Sequence, residues 1–299
     1  MNKIVFGIEQ HNVKGEDFAC AFESYDEKGN ILYGALVADG HGGNQVACIS
    51  KLEIPKIFDE VVKNMGVVDT LKYSFKLLQE KCKNEMSGCA LTVCILYENV
   101  SKVACANVGD VNAYMYQRGN PHGILLSTSH NFMDSSEERE RVRLLGIDLV
   151  ETTNGVQFSV LRAWPGGLAM GRSIGDSDCN EYVMHEPSIS VTNIRHLRSI
   201  VICTDGVWNN LDSKQVHKRL AYNEGKPRLT AKSIVGKAFS KNQSDDTTCL
   251  IMEPYVHYTP NLLNMLSKSG DSSISLSSTS SEEEEDDKNG VKTVLKISM

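Results

Sequence analysis

The stretch Ile31–Gly43, ILYGALVADGHGG, constrains the fold more than any other part of the chain. Seven of the eight residues before Asp39 are apolar, Gly34 being the exception. A near-continuous apolar run predicts a strand buried on both faces, not the alternation of a half-solvated one. The run stops at a carboxylate, followed by Gly-His-Gly-Gly and a predicted helix from about Asn44. A carboxylate at the end of a buried strand, beside glycines that admit close backbone approach, is one way to hold a hard metal ion. An ordinary Asp-Gly turn gives the same five letters, so the rest of the chain must decide.

Phe18–Ser24 and Ile31–Ala38 flank the polar segment 26–30, whose Gly29 and Asn30 suit a turn. A hairpin centred on residue 28 pairs residues whose numbers sum to about 56. Glu16 and Asp17 then fall beside Asp39 at the open end, where three carboxyl groups crowd together. Such crowding is costly unless a cation neutralises it. A second buried strand, Ser199–Thr204, ends in Asp205-Gly206, and a third, Thr247–Met252, is entered through Ser244-Asp245-Asp246. If these two strands are antiparallel neighbours, Asp205 and Asp245 share one rim of a sheet.

The remaining elements are framework. Ile4–Ile8 reads as an opening strand, and Cys89–Tyr97, Lys102–Asn107 and Asn112–Tyr116 as further strands. Helices are predicted over 44–64, from an Asp69 N-cap to about Lys83, and over 135–145, 212–222 and 230–240. The glycine-rich WPGGLAMGRSIGD at 164–176 lacks the strand-turn-helix context and G-x-G-x-x-G spacing of a dinucleotide site.

Composition narrows the function classes. A formal net charge of −7 gives no basic excess for coating nucleic acid or anionic membrane. Nine scattered cysteines without C-x-x-C spacing read as reduced core thiols of a cytosolic protein. The N-terminal apolar run IVFGI is too short for a signal peptide, and no stretch reaches the ~18 apolar residues of a membrane span. A soluble, monomeric, cytoplasmic protein is expected, with the nucleus left open. From 259 onward, seven acids against four lysines give net −3, with a serine-rich stretch and the six-acid run Glu282–Asp287. That bias predicts a disordered tail after a domain over 1–258. Ser280 and Ser281, ahead of the acids, suit acidophilic kinases.

Taken in order, Glu16-Asp17, Asp39-Gly-His-Gly-Gly43, Ala106-Asn-Val-Gly-Asp110, Gly167–Asp176, Thr204-Asp-Gly206 and Asp245-Asp-Thr-Thr248 resemble the motifs of the metal-dependent protein phosphatase 2C family. Each is weak alone, but six in register make coincidence a poor explanation. The resemblance implies an α+β fold: a β-sandwich of two antiparallel sheets flanked by helices, four layers deep. It implies hydrolysis of phosphoserine and phosphothreonine in phosphoprotein substrates by a metal-bridging hydroxide, without a phosphoenzyme. Two Mn²⁺ or Mg²⁺ ions are implied, with Asp39 bridging, Asp205 and Asp245 on one ion, the Gly40 carbonyl contributing, and Glu16 and Asp17 on the other. Asp110 matches the aspartate of a third, weaker metal, and His41 the general acid. Asn12 stands where the family has a phosphate-clamping arginine, and a strand through 12, 14 and 16 would turn Lys14 to the same face as compensation. Val111-Asn112 and Ser129-His130 replace the usual Ser-Arg and Asp-His. The rival reading is a phosphatase-shaped module that turns over weakly or not at all.

Overall fold

The computed structural model describes residues 3–153 and 159–255, and the backbone of 294–295. The expected tail over 259–299, with its six-acid run and Ser280 and Ser281, otherwise lies outside the described residues. In chain order the strands are β1 (Ile4–His11), β2 (Phe18–Tyr25), β3 (Ile31–His41), β4 (Gly88–Tyr97), β5 (Lys102–Val108), β6 (Asn112–Gln117), β7 (Ile124–Leu125), β8 (Asp148–Thr153), β9 (Ser159–Trp164), β10 (Ile174–Gly175), β11 (Ser188–Asn193), β12 (Leu197–Cys203), β13 (Thr247–Pro254) and β14 (Val294–Leu295). The helices are α1 (Gln45–Cys82), α2 (Ser136–Leu144), α3 (Asp205–Trp208), α4 (Ser213–Tyr222) and α5 (Pro227–Phe239).

Two sheets face each other. One runs β1-β13-β12-β6-β7, the other β11-β5-β4-β3-β2-β14, with β10 added against β4. All pairings are antiparallel except the two-residue β14 beside β2. Ile200, Ile202, Leu250 and Met252 from one sheet pack with Val37, Ala35 and Cys94 from the other in the central core. The outer face of the second sheet buries Leu36, Leu91 and Val93 under Ile54, Phe58 and Leu71 of α1. The outer face of the first buries Val201 and Ile251 under Val216, Leu220 and Ile234 of α4 and α5. Helix, sheet, sheet and helix thus make the four layers implied by the resemblance. Strand β4 lies between two neighbours and is buried along nearly its whole length, which is why it reads as a continuous apolar run.

The hairpin register agrees with the expected sum: Phe18 pairs with Ala38 and Tyr25 with Ile31. The antiparallel pairing of β12 and β13 also holds, with Cys203 opposite Cys249. The two helices predicted over 44–83 form one element broken at Gly66, whose φ of 72° and ψ of 168° are not helical. Thr70 Oγ1 bonds back to the Gly66 carbonyl at 2.6 Å, so the second half is set by that break and not by an Asp69 cap. Helix α5 begins at Pro227, ahead of the expected 230, because Pro is tolerated in the first turn. The sequence does not mark hairpin β8–β9 or strand β11: each is only partly buried and mixes polar with apolar residues, without the long apolar runs of the core strands.

One expectation about the site is corrected. Strand β1 ends at His11, and residues 12–17 form a loop with Gly15 at φ 77°. Residues 12, 14 and 16 therefore do not share a strand face. Asp246 explains why the strand stops: its carboxylate accepts backbone N–H groups from Val13, Lys14 and Gly15 on one oxygen and from Glu16 and Asp17 on the other. Those amides turn inward to one buried anion instead of out to a neighbouring strand.

Candidate active site

The ends of β3 and β12 and the start of β13 meet, with the 12–17 loop, at one rim of the sandwich. Asp39 lies one residue past Ala38, the last residue of β3 paired to β2. Gly40 must be glycine here, because a side chain would run into the Glu16 carbonyl. Asp205 opens α3, and Asp245 sits two residues before β13. Asp17 is buried and accepts a hydrogen bond from Thr204 Oγ1 at 3.0 Å, joining the hairpin to β12.

Their electrostatics follow from this convergence. Burial raises the Asp39 carboxyl well above the usual range, and the negative charges of Asp17, Asp205, Asp110 and Asp245 raise it further. Burial pushes Asp17 up to about 7, partly offset by Thr248 and Thr204, and Asp246 and Asp245 add to the rise. Asp205 is pushed up to about 7 by burial and then by Asp110, Asp245 and Asp17, with Lys14 opposing. Asp110 is raised by burial against a hydrogen bond from Asn131 Nδ2 at 2.8 Å. Five carboxylates therefore act on one another as like charges in a partly dehydrated rim.

No three Asp, Glu, His or Cys side chains among the described residues close into a tight cage for one ion. The donor set still fits a hard divalent cation: it is all oxygen, and Mg²⁺ needs only one or two direct carboxylates while keeping several waters. Repelling carboxylates held part-dehydrated are also the arrangement that a cation relieves. Glu16 is partly committed elsewhere, since its Oε1 accepts the Gly43 N–H at 2.9 Å.

His41, the last residue of β3, turns its Nε2 to Asp176, 2.9 Å from each carboxylate oxygen. Burial lowers the imidazole's affinity for a proton, but the hydrogen bond and charge of Asp176, with Asp110 and Glu16 behind it, outweigh that and raise its pKa. Lys14 is exposed, and its Nζ lies 2.8 Å from Asp245 Oδ1. Burial lowers its pKa, but the bond to Asp245 and the charges of Glu16 and Asp39 bring the net shift upward. Lys14 thus reaches the rim through a loop, not through strand alternation. Asn12 stands exposed outside these contacts.

Four supporting residues had no role in the sequence reading: Asp176, Asp246, Asn131 and His130. Asp246 and Asp176 lie inside noted motifs and His130 in the noted pair Ser129-His130, but position in a motif does not say which way a side chain turns. His130 is buried, donating from Nδ1 to the Gly109 carbonyl at 3.1 Å and accepting from Ser188 Oγ at Nε2, 2.8 Å away.

Comparison with known proteins gives a consistent picture. The family profile described as protein phosphatase 2C matches residues 12–247. Probable protein phosphatase 2C 33 of Oryza sativa subsp. japonica is 30% identical over 234 residues, 73% of this chain and 52% of that protein. Probable protein phosphatase 2C 5 of Arabidopsis thaliana is 30% identical over 233 residues, 73% of this chain and 53% of that protein. The chain spans about half the length of these curated relatives. Among solved structures, a C. elegans sex determining protein aligns at TM-score 0.72 with 20% identity, over 85% of this chain and 65% of that one. The serine-threonine phosphatase 2C of Toxoplasma gondii aligns at 0.60 with 15% identity, over 85% of this chain and 100% of that one. At these identities the structural likenesses speak for the fold.

Proposed function

The chain belongs to the protein phosphatase 2C family, and from that premise we propose that it hydrolyses phosphoserine and phosphothreonine in protein substrates, using bound Mn²⁺ or Mg²⁺. The observation that carries this is the meeting of Asp17, Asp39, Asp110, Asp205 and Asp245 at one rim, with His41 beside them. Asp39, Asp205, Asp245 and the Gly40 carbonyl would hold two ions, helped by Asp17 and Glu16, with Asp110 at a third and weaker position. When bound, the ions supply Lewis-acid charge neutralisation and activate water for attack at neutral pH.

The chain's own residues do the rest. Lys14 offers the phosphate a positive charge on a flexible stem, a point contact and not the fork of a guanidinium. Glu16, by holding the Gly43 amide, fixes the turn that follows His41. His41 gives a proton to the departing serine or threonine oxygen, a poor leaving group as an alkoxide. Phosphoproteins are the proposed partners.

Purified protein assayed on a phosphothreonine peptide with and without Mn²⁺ tests the reading. Turnover that needs metal and is lost in Asp205→Asn supports it. The second reading, a weakly active or inactive binding module, is favoured by Asn12, which brings no guanidinium to the phosphate. Metal binding without turnover would establish that alternative.

A further inference from the structure

The contact between His41 and Asp176 is built from several sides. His41 ends β3 opposite Gly88, the first residue of β4, and Gly175 of β10 faces the same Gly88. A methyl group at Gly88 would collide with both the Asp176 carboxylate and His41 Nε2, so the missing side chain is the space in which the pair meets. Asp176 adopts a left-handed conformation, φ 51° and ψ 51°, which aspartate enters more readily than most residues. Its N–H donates to the Ser87 carbonyl at 3.2 Å, its carbonyl accepts from Cys179, and the Ser173 hydroxyl donates to its Oδ2. The preceding Gly175 N–H donates to Gln79 Oε1 of α1 at 2.9 Å. The aspartate side chain is 3% exposed and the imidazole 27%, so one side of the ring is closed by the carboxylate while another stays open.

We propose that Asp176 is a positioning residue: it ties down Nε2 of His41 and so assigns Nδ1 as the atom that hands a proton to the leaving group. This rests on the phosphatase reading of the site. A carboxylate can only accept, so Nε2 must carry a hydrogen and donate it. The proton transferred during the reaction then comes from Nδ1 of the imidazolium. As the bond between phosphorus and the leaving oxygen breaks, its electron pair stays on that oxygen, which takes the Nδ1 proton. The ring is left neutral, with Nε2–H still bonded to Asp176, and Nδ1 recovers a proton from water. Were Nε2 the donor, the carboxylate would compete with the leaving group for the same proton.

Two measurements on the full chain test this. Asp176→Asn is compared with the unaltered protein on a phosphothreonine peptide, which needs a proton on its leaving group, and on p-nitrophenyl phosphate, whose nitrophenolate needs none. The loss in kcat is expected to be at least about tenfold greater on the peptide, approaching the ~10²-fold that a general acid contributes. Gly88→Ala, which wedges the pair apart, should shift the ratio in the same direction. Equal losses on both substrates would overturn the proposal, leaving Asp176 a purely structural residue. The second readout is ¹⁵N NMR of labelled histidines, with His41→Ala to assign the signal. A neutral His41 protonated at Nε2 is expected, and one protonated at Nδ1 would overturn the assignment. If the protein turns over neither substrate yet shows Nε2–H, the phosphatase reading has failed and the His41–Asp176 orientation stands.

Discussion

Lys14 reaches across the rim to Asp245, its ammonium 2.8 Å from the carboxylate oxygen. The same cation can serve a substrate phosphate or occupy a carboxylate proposed to hold a metal, but not both at once. Lys14→Ala should therefore raise KM for a phosphopeptide while tightening Mn²⁺ binding. Both groups are substantially exposed, so each effect should stay within the ~0.2–1 kcal/mol of a surface ion pair, at most about fivefold. Peptide kinetics and calorimetric Mn²⁺ titration check the two arms. An unchanged KM removes Lys14 as a phosphate contact.

Asp246 acts on the site through the backbone. Burial pushes its pKa up, but the amide bonds from residues 13–17 outweigh that and hold the carboxyl low. Asp246→Asn puts an NH₂ group against amides that need an acceptor. Each such bond to a charged group is worth roughly 1.5–3 kcal/mol, so a loss of at least ~2 kcal/mol in unfolding free energy is expected, together with weaker Mn²⁺ binding. Asp245→Asn should weaken Mn²⁺ binding while changing stability by less than about 1 kcal/mol. Denaturant unfolding and metal titration of both variants separate the framework carboxylate from the proposed ligand; equal stability losses would refute the distinction.

The crowded carboxylates make metal and pH interdependent. In metal-free protein, Asp17 and Asp205 keep a proton up to about 7, whereas unfolded aspartates release theirs near 3.8. The folded state binds more protons between those limits, so stability falls as pH rises from about 4 to about 7, by at most ~1.4 kcal/mol per pH unit and group. On the proposed function, a divalent ion takes over from those protons. The gain in Tm on adding Mn²⁺ to chelator-treated protein should grow steadily from pH 5 to pH 8. A gain independent of pH would show that these carboxylates do not hold the ion.

His130 should show the opposite sign. Burial, then the positive charge of Arg172, depress its pKa to about 4 from an ordinary 6.5. The neutral ring's two hydrogen bonds stabilise the fold fully above about pH 6.5, and that contribution disappears as pH falls toward 4. The stability gap between the unaltered protein and His130→Asn, both in excess Mn²⁺, should narrow by about 1–2 kcal/mol between pH 7 and pH 5. Denaturant melts at the two pH values measure it, and a constant gap would place the depressed titration elsewhere.

Strand β3, the register of Phe18 against Ala38, and the shared rim of Asp205 and Asp245 were all legible in the sequence. Each follows from local patterning: a buried strand must be apolar throughout, and a tight turn fixes which residues pair. What the local pattern could not carry is direction at long range. Nothing in the letters Asp245-Asp246 says that the first faces Lys14 and the second gathers the amides of residues 13–17. Nor does the segment ending at Asp176 announce that it will close on His41, 135 residues away, through the gap left by Gly88. Composition and periodicity determined the strands and brought the carboxylates to one rim, because burial acts residue by residue. The tertiary structure alone decided which acid holds backbone, which holds an imidazole and which is left for a cation, because a carboxylate's role depends on the donors that surround it in space.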